Sequence, residues 1–365
     1  MPASVSVAAS ARLHLGFLDM NGGLGRKFGG VGMALDAPAT RLTLTRADKN
    51  CVEGPESIRA AALLERAQEA LGAAGRHRLS IEEAIPAHAG LGSGTQLALA
   101  VSAALRRLED LPHDPSADAA LMARGARSGL GAGLFQSGGV VVDGGRGPQT
   151  LTPPVVARAE FPDAWRALLV SDPGDVGLHG ADERDAFAEL PPFDAATSGE
   201  VCRLVLMQIL PALAEKELAP FGAAVTRIQQ IVGDHFAPAQ GGRRFTSAKV
   251  EATVARLLAD GATGGGQTSW GPTGFVFVDS DAAAQRLVER HGAQARNEGL
   301  DITIHRGRNR GAKIDAVYAQ IASMNALGFI ATPEEHMGSV LYLLSDLSKP
   351  VTGISLHVNS GRFMT

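Results

Sequence analysis

Gly90-Leu91-Gly92-Ser93-Gly94-Thr95-Gln96 sets three glycines and two hydroxyl side chains directly before an apolar stretch, Gln96 to Arg107, that reads as a helix. A helix start presents unpaired N–H groups and a partial positive charge. Glycine lets an anion approach the backbone, and Ser93 and Thr95 add donors, so the chemistry is that of a phosphate or pyrophosphate cradle. No Gly-Lys-Ser/Thr follows, so this is not a Walker loop, and the chain holds no strict Gly-x-Gly-x-x-Gly. The competing reading is a glycine-rich turn that packs a helix against a sheet. Cys51 and Cys202 lie far apart and suggest neither a disulfide framework, a metal cluster nor nucleophilic catalysis.

The elements that must position this loop follow from pattern. Val5 to Leu15 reads as a strand, Gly16 to Gly32 as a glycine-dense loop, and Arg41 to Thr45 as an alternating strand. Ser57 to Leu71 has helical spacing, and His77 to Ile85 is a strand that ends at Pro86. Ala117 to Arg127 reads as a helix and Gly138 to Asp143 as a short strand. Four prolines (148, 153, 154 and 162) mark a domain junction. Beyond it, Ala167 to Val170, Thr273 to Val278 and Asp301 to His305 are strands. Glu200 to Leu218, Ala223 to Val232, Val250 to Leu258 and Ala282 to His291 are helices, with a glycine turn at Gly261 to Gly266. Strands and helices mix without a strict βαβ rhythm, so the fold class is α+β.

The 365 residues exceed one ordinary core, and two domains are expected: 1–150 and 163–312, with a tail at 313–365. A net charge of −4 gives no electrostatic case for nucleic acid or an acidic membrane surface. The N-terminus lacks a basic start followed by a long apolar run, and no stretch reaches the roughly 18 apolar residues of a membrane helix. A cytoplasmic protein is expected, without a membrane.

Ile85-Pro86-Ala87-His88-Ala89-Gly90-Leu91-Gly92-Ser93-Gly94-Thr95 resembles the phosphate-loop motif of the GHMP kinases, Pro-x-x-x-Gly-Leu-Gly-Ser-Ser, with Gly94 at the usual second serine. The Gly-Ser-Gly-Thr-Gln form is similar to the β-ribofuranosylaminobenzene 5′-phosphate synthase branch. Three further blocks resemble the same branch. They are Ala11 to Asp19 continued by Gly29 to Gly32, Arg127 to Gly131 leading to Gly138 to Gly145, and Gly264 to Pro272. The resemblance covers roughly residues 4 to 312. It implies the two-domain kinase-like fold and a reaction that joins 4-aminobenzoate or 4-hydroxybenzoate to phosphoribosyl pyrophosphate. Carbon dioxide and pyrophosphate leave and a C-riboside forms, a step of methanopterin cofactor synthesis. It also implies magnesium, and a homodimer is compatible with it.

On that resemblance Arg12, His14 and Ser93 are the catalytic candidates, and Gly90, Leu91, Gly92, Ser93, Gly94, Thr95 and Gln96 hold phosphate. Arg127 and Gly129, with Arg124, suit a 5′-phosphate, because guanidinium groups bind oxyanions bidentately. His179 and Glu183 lie on an expected substrate loop. Gln267, Ser269 and Trp270 form a turn that could close over the sugar. Asp19, Asp143 and Asp172 are the magnesium candidates, and His88 is expected to be structural. Ala331 to Val358 resembles the last helix and strand of the short-chain dehydrogenases, without that family's dinucleotide loop or Tyr-x-x-x-Lys. Two other readings are an ATP-dependent GHMP kinase and a non-catalytic binding protein that keeps the phosphate loop.

Overall fold

The computed structural model describes residues 2–175, 177 and 190–318. His179, Glu183 and the dehydrogenase-like stretch lie outside the described residues. β1 (Ser4–Asp19) and β2 (Phe28–Arg46) form a long antiparallel hairpin. The loop expected over 16–32 shrinks to 20–27, and Gly29, Gly30 and Gly32 belong to β2. Close approach is the reason. A side chain at Gly32 would come within 2.7 Å of the Leu13 carbonyl, and one at Gly30 within 3.3 Å of His14 Nε2.

β3 (Cys51–Glu53), α1 (Ser57–Leu71), β4 (His77–Glu83) and α2 (Ser93–Leu108) follow. α2 is buried from Gln96 to Leu105, so it is apolar almost all round and packs on β1, β2 and α1. α3 (Pro115–Leu121) and α4 (Leu130–Ser137) then lead to β5 (Val140–Asp143) and β6 (Val155–Ala159). The helix expected to reach Arg127 ends at Leu121, because Ala123 and Gly125 adopt positive φ of 52° and 75°. Arg124 and Arg127 therefore sit on a loop, not on the expected helix.

The second half holds β7 (Arg166–Ser171), then α5 (Ala195–Leu204), which runs through a π turn (Val205–Ile209) into α6 (Leu210–Glu215). α7 (Leu218–Phe236), α8 (Ala248–Ala259), β8 (Thr263–Gln267), β9 (Gly274–Val278), α9 (Asp281–Asn297), β10 (Asp301–His305) and β11 (Lys313–Val317) complete it. The glycine turn expected at 261–266 is largely the strand β8. Its glycines let α7 and α8 lie close: a side chain at Gly265 would meet Leu258 and Val254, and one at Gly266 would strike Gln229.

The described strands make a four-stranded sheet, ordered β10-β7-β9-β8, and a seven-stranded one. The larger runs β11-β1-β2-β4-β3, with β5 paired to β2 and β6 to β5. The domain limits move accordingly. β6 extends the first unit past residue 150, and β11, placed in the tail by the sequence reading, returns to pair with β1 from Ser4↔Val317 to Ala8↔Lys313. The second unit is thus inserted between β6 and β11. One core lies between the large sheet and α1 and α2, around Leu42, Leu79, Leu99 and Leu105, and another under the small sheet, around Val254, Leu257 and Val276. A third joins the units through Leu13, Leu15, Phe161, Phe221, Trp270 and Phe277. A polar seam continues it. Asp36 N–H donates to the Arg306 carbonyl at 2.9 Å, Arg306 N–H donates to Asp36 Oδ1 at 3.0 Å, and His305 Nδ1 lies 3.7 Å from the same oxygen.

Candidate active site

The first turn of α2 forms one wall of a cleft of about 500 Å³ between the two units. Gly92 caps the helix at φ 81°, and no side chain caps it. The Ser93 and Gly94 N–H groups precede the first intrahelical donors and have no partner within the helix. Thr95 and Gln96 N–H groups already turn back to the Gly92 carbonyl at 3.1 Å. Gly90 is also left-handed, at φ 75°, and a side chain there would overlap the Thr268 carbonyl. The loop is tied down from both units. Thr268 Oγ1 donates to the Gly90 carbonyl at 3.1 Å and accepts His14 N–H at 2.9 Å, and Arg12 N–H donates to the Leu91 carbonyl at 3.0 Å.

β1 supplies Arg12 and His14, two residues apart and so on one face of the strand. Register shifts on either side, between Ser10 and Arg12 and between His14 and Gly16, set their aim. The Arg12 side chain passes over Gly92, where a Cβ would sit 2.7 Å from its Cγ and 2.9 Å from its Nε. His14 is buried, with 5% exposure, and its ring lies 4.5 Å from that of Phe17. Burial first, and the Arg12 charge second, push its pKa down to about 3. Burial and the Arg12 charge thus favour the neutral imidazole of His14. Its Nε2 is buried with no hydrogen-bond partner among the described residues.

Arginine dominates the electrostatics. Arg12, Arg59, Arg124 and Arg127 line the cleft, and the described lining holds no Asp or Glu. Burial, then the Arg59 and Arg66 charges, draw the Arg124 pKa below its ordinary value. Arg59 comes from α1 and was missed by motif reading, since a cation on an amphipathic helix carries no motif signal. Ser128 and His88 also line the cleft, and His88, expected to be structural, holds a positive φ of 58° there.

The other expected residues divide. Gly90, Gly92, Ser93, Gly94, Thr95, Arg127, Ser269 and Trp270 line the cleft with Arg12 and His14. Trp270 is buried against Phe236 at 4.3 Å and belongs to the core as well. Leu91 points into that core. Gln96 is buried and donates to the Gly131 carbonyl at 3.1 Å, which fixes α2 to α4. Gln267 lies away from the described lining. Its Oε1 accepts from Thr246 N–H at 2.8 Å and its Nε2 donates to Gln240 at 2.9 Å, so its amide holds loops together.

The three aspartates occupy three separate networks. Asp19 accepts from Asn21 and Gly22 N–H groups and from Ser198, and Asp172 accepts from Ser247 and Gly174. Asp143 is fully buried and accepts from Ser128 Oγ at 2.9 Å, Gly129 N–H at 3.1 Å and Gly145 N–H at 2.9 Å. Burial raises its pKa against the pull of those donors. Gly129 thus serves the Asp143 clamp that shapes the arginine loop. No group of three or more His, Cys, Asp or Glu able to hold a metal ion exists among the described residues. Among the described residues the cleft lining offers a magnesium ion the Ser93 and Thr95 hydroxyls and no carboxylate, and its charged groups are guanidinium groups. No described helix is long and apolar enough to cross a membrane.

Comparison with known proteins agrees with the geometry. Residues 57–137 match the GHMP kinases N terminal domain and 209–297 the GHMP kinases C terminal domain. Among solved structures, homoserine kinase from Cytophaga hutchinsonii superposes with a TM-score of 0.62 at 17% identity, covering 86% of this chain and 98% of that one. Mevalonate diphosphate decarboxylase from Staphylococcus aureus gives 0.61 at 13% identity, with 86% and 98% covered. Those likenesses show the fold. The beta-ribofuranosylphenol 5′-phosphate synthase of Archaeoglobus fulgidus is 32% identical over 320 residues, 84% of this chain and 97% of the relative. The protein of the same name from Methanothermobacter thermautotrophicus is 29% identical over 325 residues, 83% and 96% of the two chains. With its phosphate loop, its two-unit fold and this relationship along nearly the whole length of its relatives, the chain belongs to the β-ribofuranosylphenol 5′-phosphate synthase family.

Proposed function

We propose that this enzyme condenses 4-hydroxybenzoate with phosphoribosyl pyrophosphate, releasing carbon dioxide and pyrophosphate, in the synthesis of a methanopterin-type cofactor. The observation that carries the reading is the uncapped α2 start facing four arginines with no carboxylate in the described lining. Such a site suits a substrate with several phosphate groups. The phenol named for the relatives favours 4-hydroxybenzoate over 4-aminobenzoate.

The residues have roles in each bond change. The bond from the sugar's anomeric carbon to pyrophosphate breaks, and the leaving charge is met by the Ser93 and Gly94 N–H groups and by arginine. The ring carbon that bears the carboxylate attacks the anomeric carbon. The carbon–carboxylate bond then breaks, carbon dioxide departs, and its electron pair restores aromaticity. No proton need leave the ring, which matches a neutral His14 better than an acid–base role. Magnesium enters as the counterion of the phosphoribosyl pyrophosphate. The kinase reading needs a carboxylate near the accepting hydroxyl, and none lines the cleft among the described residues.

Release of labelled carbon dioxide from carboxyl-labelled 4-hydroxybenzoate, dependent on phosphoribosyl pyrophosphate, tests the reading. Arg12→Ala should lower release by at least a hundredfold. Folded protein that releases none from 4-hydroxybenzoate or 4-aminobenzoate would refute it.

A further inference from the structure

We propose that Arg59 and Arg124 form an anion subsite at the first turn of α2 that grips the pyrophosphate of the ribosyl donor without a protein-held metal. The identity of the leaving group rests on the preceding reading, and the subsite rests on geometry. Gly94 is the second residue of α2, with ordinary backbone torsions, and a Cβ there would lie 3.4 Å from Arg124 Nη1 and 3.4 Å from Arg59 Nη2. Two guanidinium groups from different elements thus converge over a helix start. Arg59 is anchored on one side, with Nη1 2.9 Å from Glu56, while Arg66, beyond the pair, donates to the Leu121 carbonyl at 2.7 Å.

Like charges do not gather without cause. The Nε atoms of Arg59 and Arg124 are both buried and lack a hydrogen-bond partner among the described residues. Among the described residues Glu56 is the one carboxylate paired with this group, so the cluster keeps a positive excess that an anion would offset. Guanidinium forks bind two oxygens each, and the helix start adds N–H donors between them, an arrangement matched to two linked phosphates.

Gly94→Asp supplies the test, because it tethers a carboxylate where the ligand's charge would sit. An acidic residue in the first turn also favours the helix, so this variant should melt at or above the wild-type temperature. Calorimetric titration with inorganic pyrophosphate in EDTA should show binding by wild type. Affinity should fall at least tenfold in Arg59→Gln, Arg124→Ala and Gly94→Asp, while ribose 5-phosphate affinity stays within twofold. Pyrophosphate affinity unchanged in Arg124→Ala and Gly94→Asp, or a loss confined to ribose 5-phosphate, would overturn the proposal. Titration needs no turnover, so a protein that binds pyrophosphate but releases no carbon dioxide would sink the reaction and support the subsite.

Discussion

Replacing Asp143 by asparagine separates a structural clamp from a metal ligand. The carboxylate accepts three hydrogen bonds, two at Oδ2 from Ser128 and Gly129 and one at Oδ1 from Gly145. An amide keeps one acceptor oxygen. With that oxygen at the Oδ2 position, two bonds survive and the Gly145 N–H faces an NH2 group. A buried donor left unmet costs about 2 kcal/mol. At roughly 2–4 °C per kcal/mol for a domain of 150–250 residues, the melting temperature should fall by about 4–8 °C. The Ser128 and Gly129 bonds that hold the arginine loop are retained, so the KM for phosphoribosyl pyrophosphate should stay within about twofold. Calorimetric melting and steady-state kinetics over a magnesium titration measure both effects. An unchanged melting temperature together with a shifted magnesium requirement would refute the clamp and return Asp143 to the metal site.

Two further outcomes follow from electrostatics. Because His14 titrates near pH 3 in the folded protein, His14→Asn should lower kcat/KM yet leave the shape of its pH profile between pH 5 and 8 unchanged; loss of an acidic limb in that variant would contradict the neutral assignment. For Asp36, burial acts to raise the pKa, but the hydrogen bond with His305 and the backbone N–H donors outweigh it and hold the group below 3.8. Its contribution is present above the unfolded pKa and lost as pH falls through the folded one, so Asp36→Asn should be less stable than wild type at pH 7 and lose less stability between pH 5 and 3. Acid titration of unfolding checks this, and parallel curves for the two proteins would remove Asp36 from the seam.

The phosphate loop was legible because its chemistry is local: glycines, hydroxyls and a helix start occupy consecutive positions. α1 and β10 were also readable end to end, since their patterns meet no conflicting glycine. What failed was set by distant partners. Gly265 and Gly266 read as a turn, but they are strand residues made small by α7 and α8, which only the fold brings near. Arg124 fell within an expected helix, Ala117 to Arg127, whereas two positive φ values place it on a loop beside Arg59. Asp143 beside glycines suits either a cap or a metal ligand, and the three donors that decide it come from both sides of the chain.

The pairing of β11 with β1 has a consequence for biogenesis. Strand β1 is synthesised before every other described strand, yet its outer partner β11 follows the other described elements of both units. During that interval β1 offers an open row of N–H and C=O groups along Ser4 to Ala8, a template for pairing with other chains. Burial of Val5 and Val7 against α2 gives early order to one face only. Among the described strands β11 therefore acts as the seal on β1, and a chain cut before Lys313 should aggregate where one cut after Tyr318 stays dispersed.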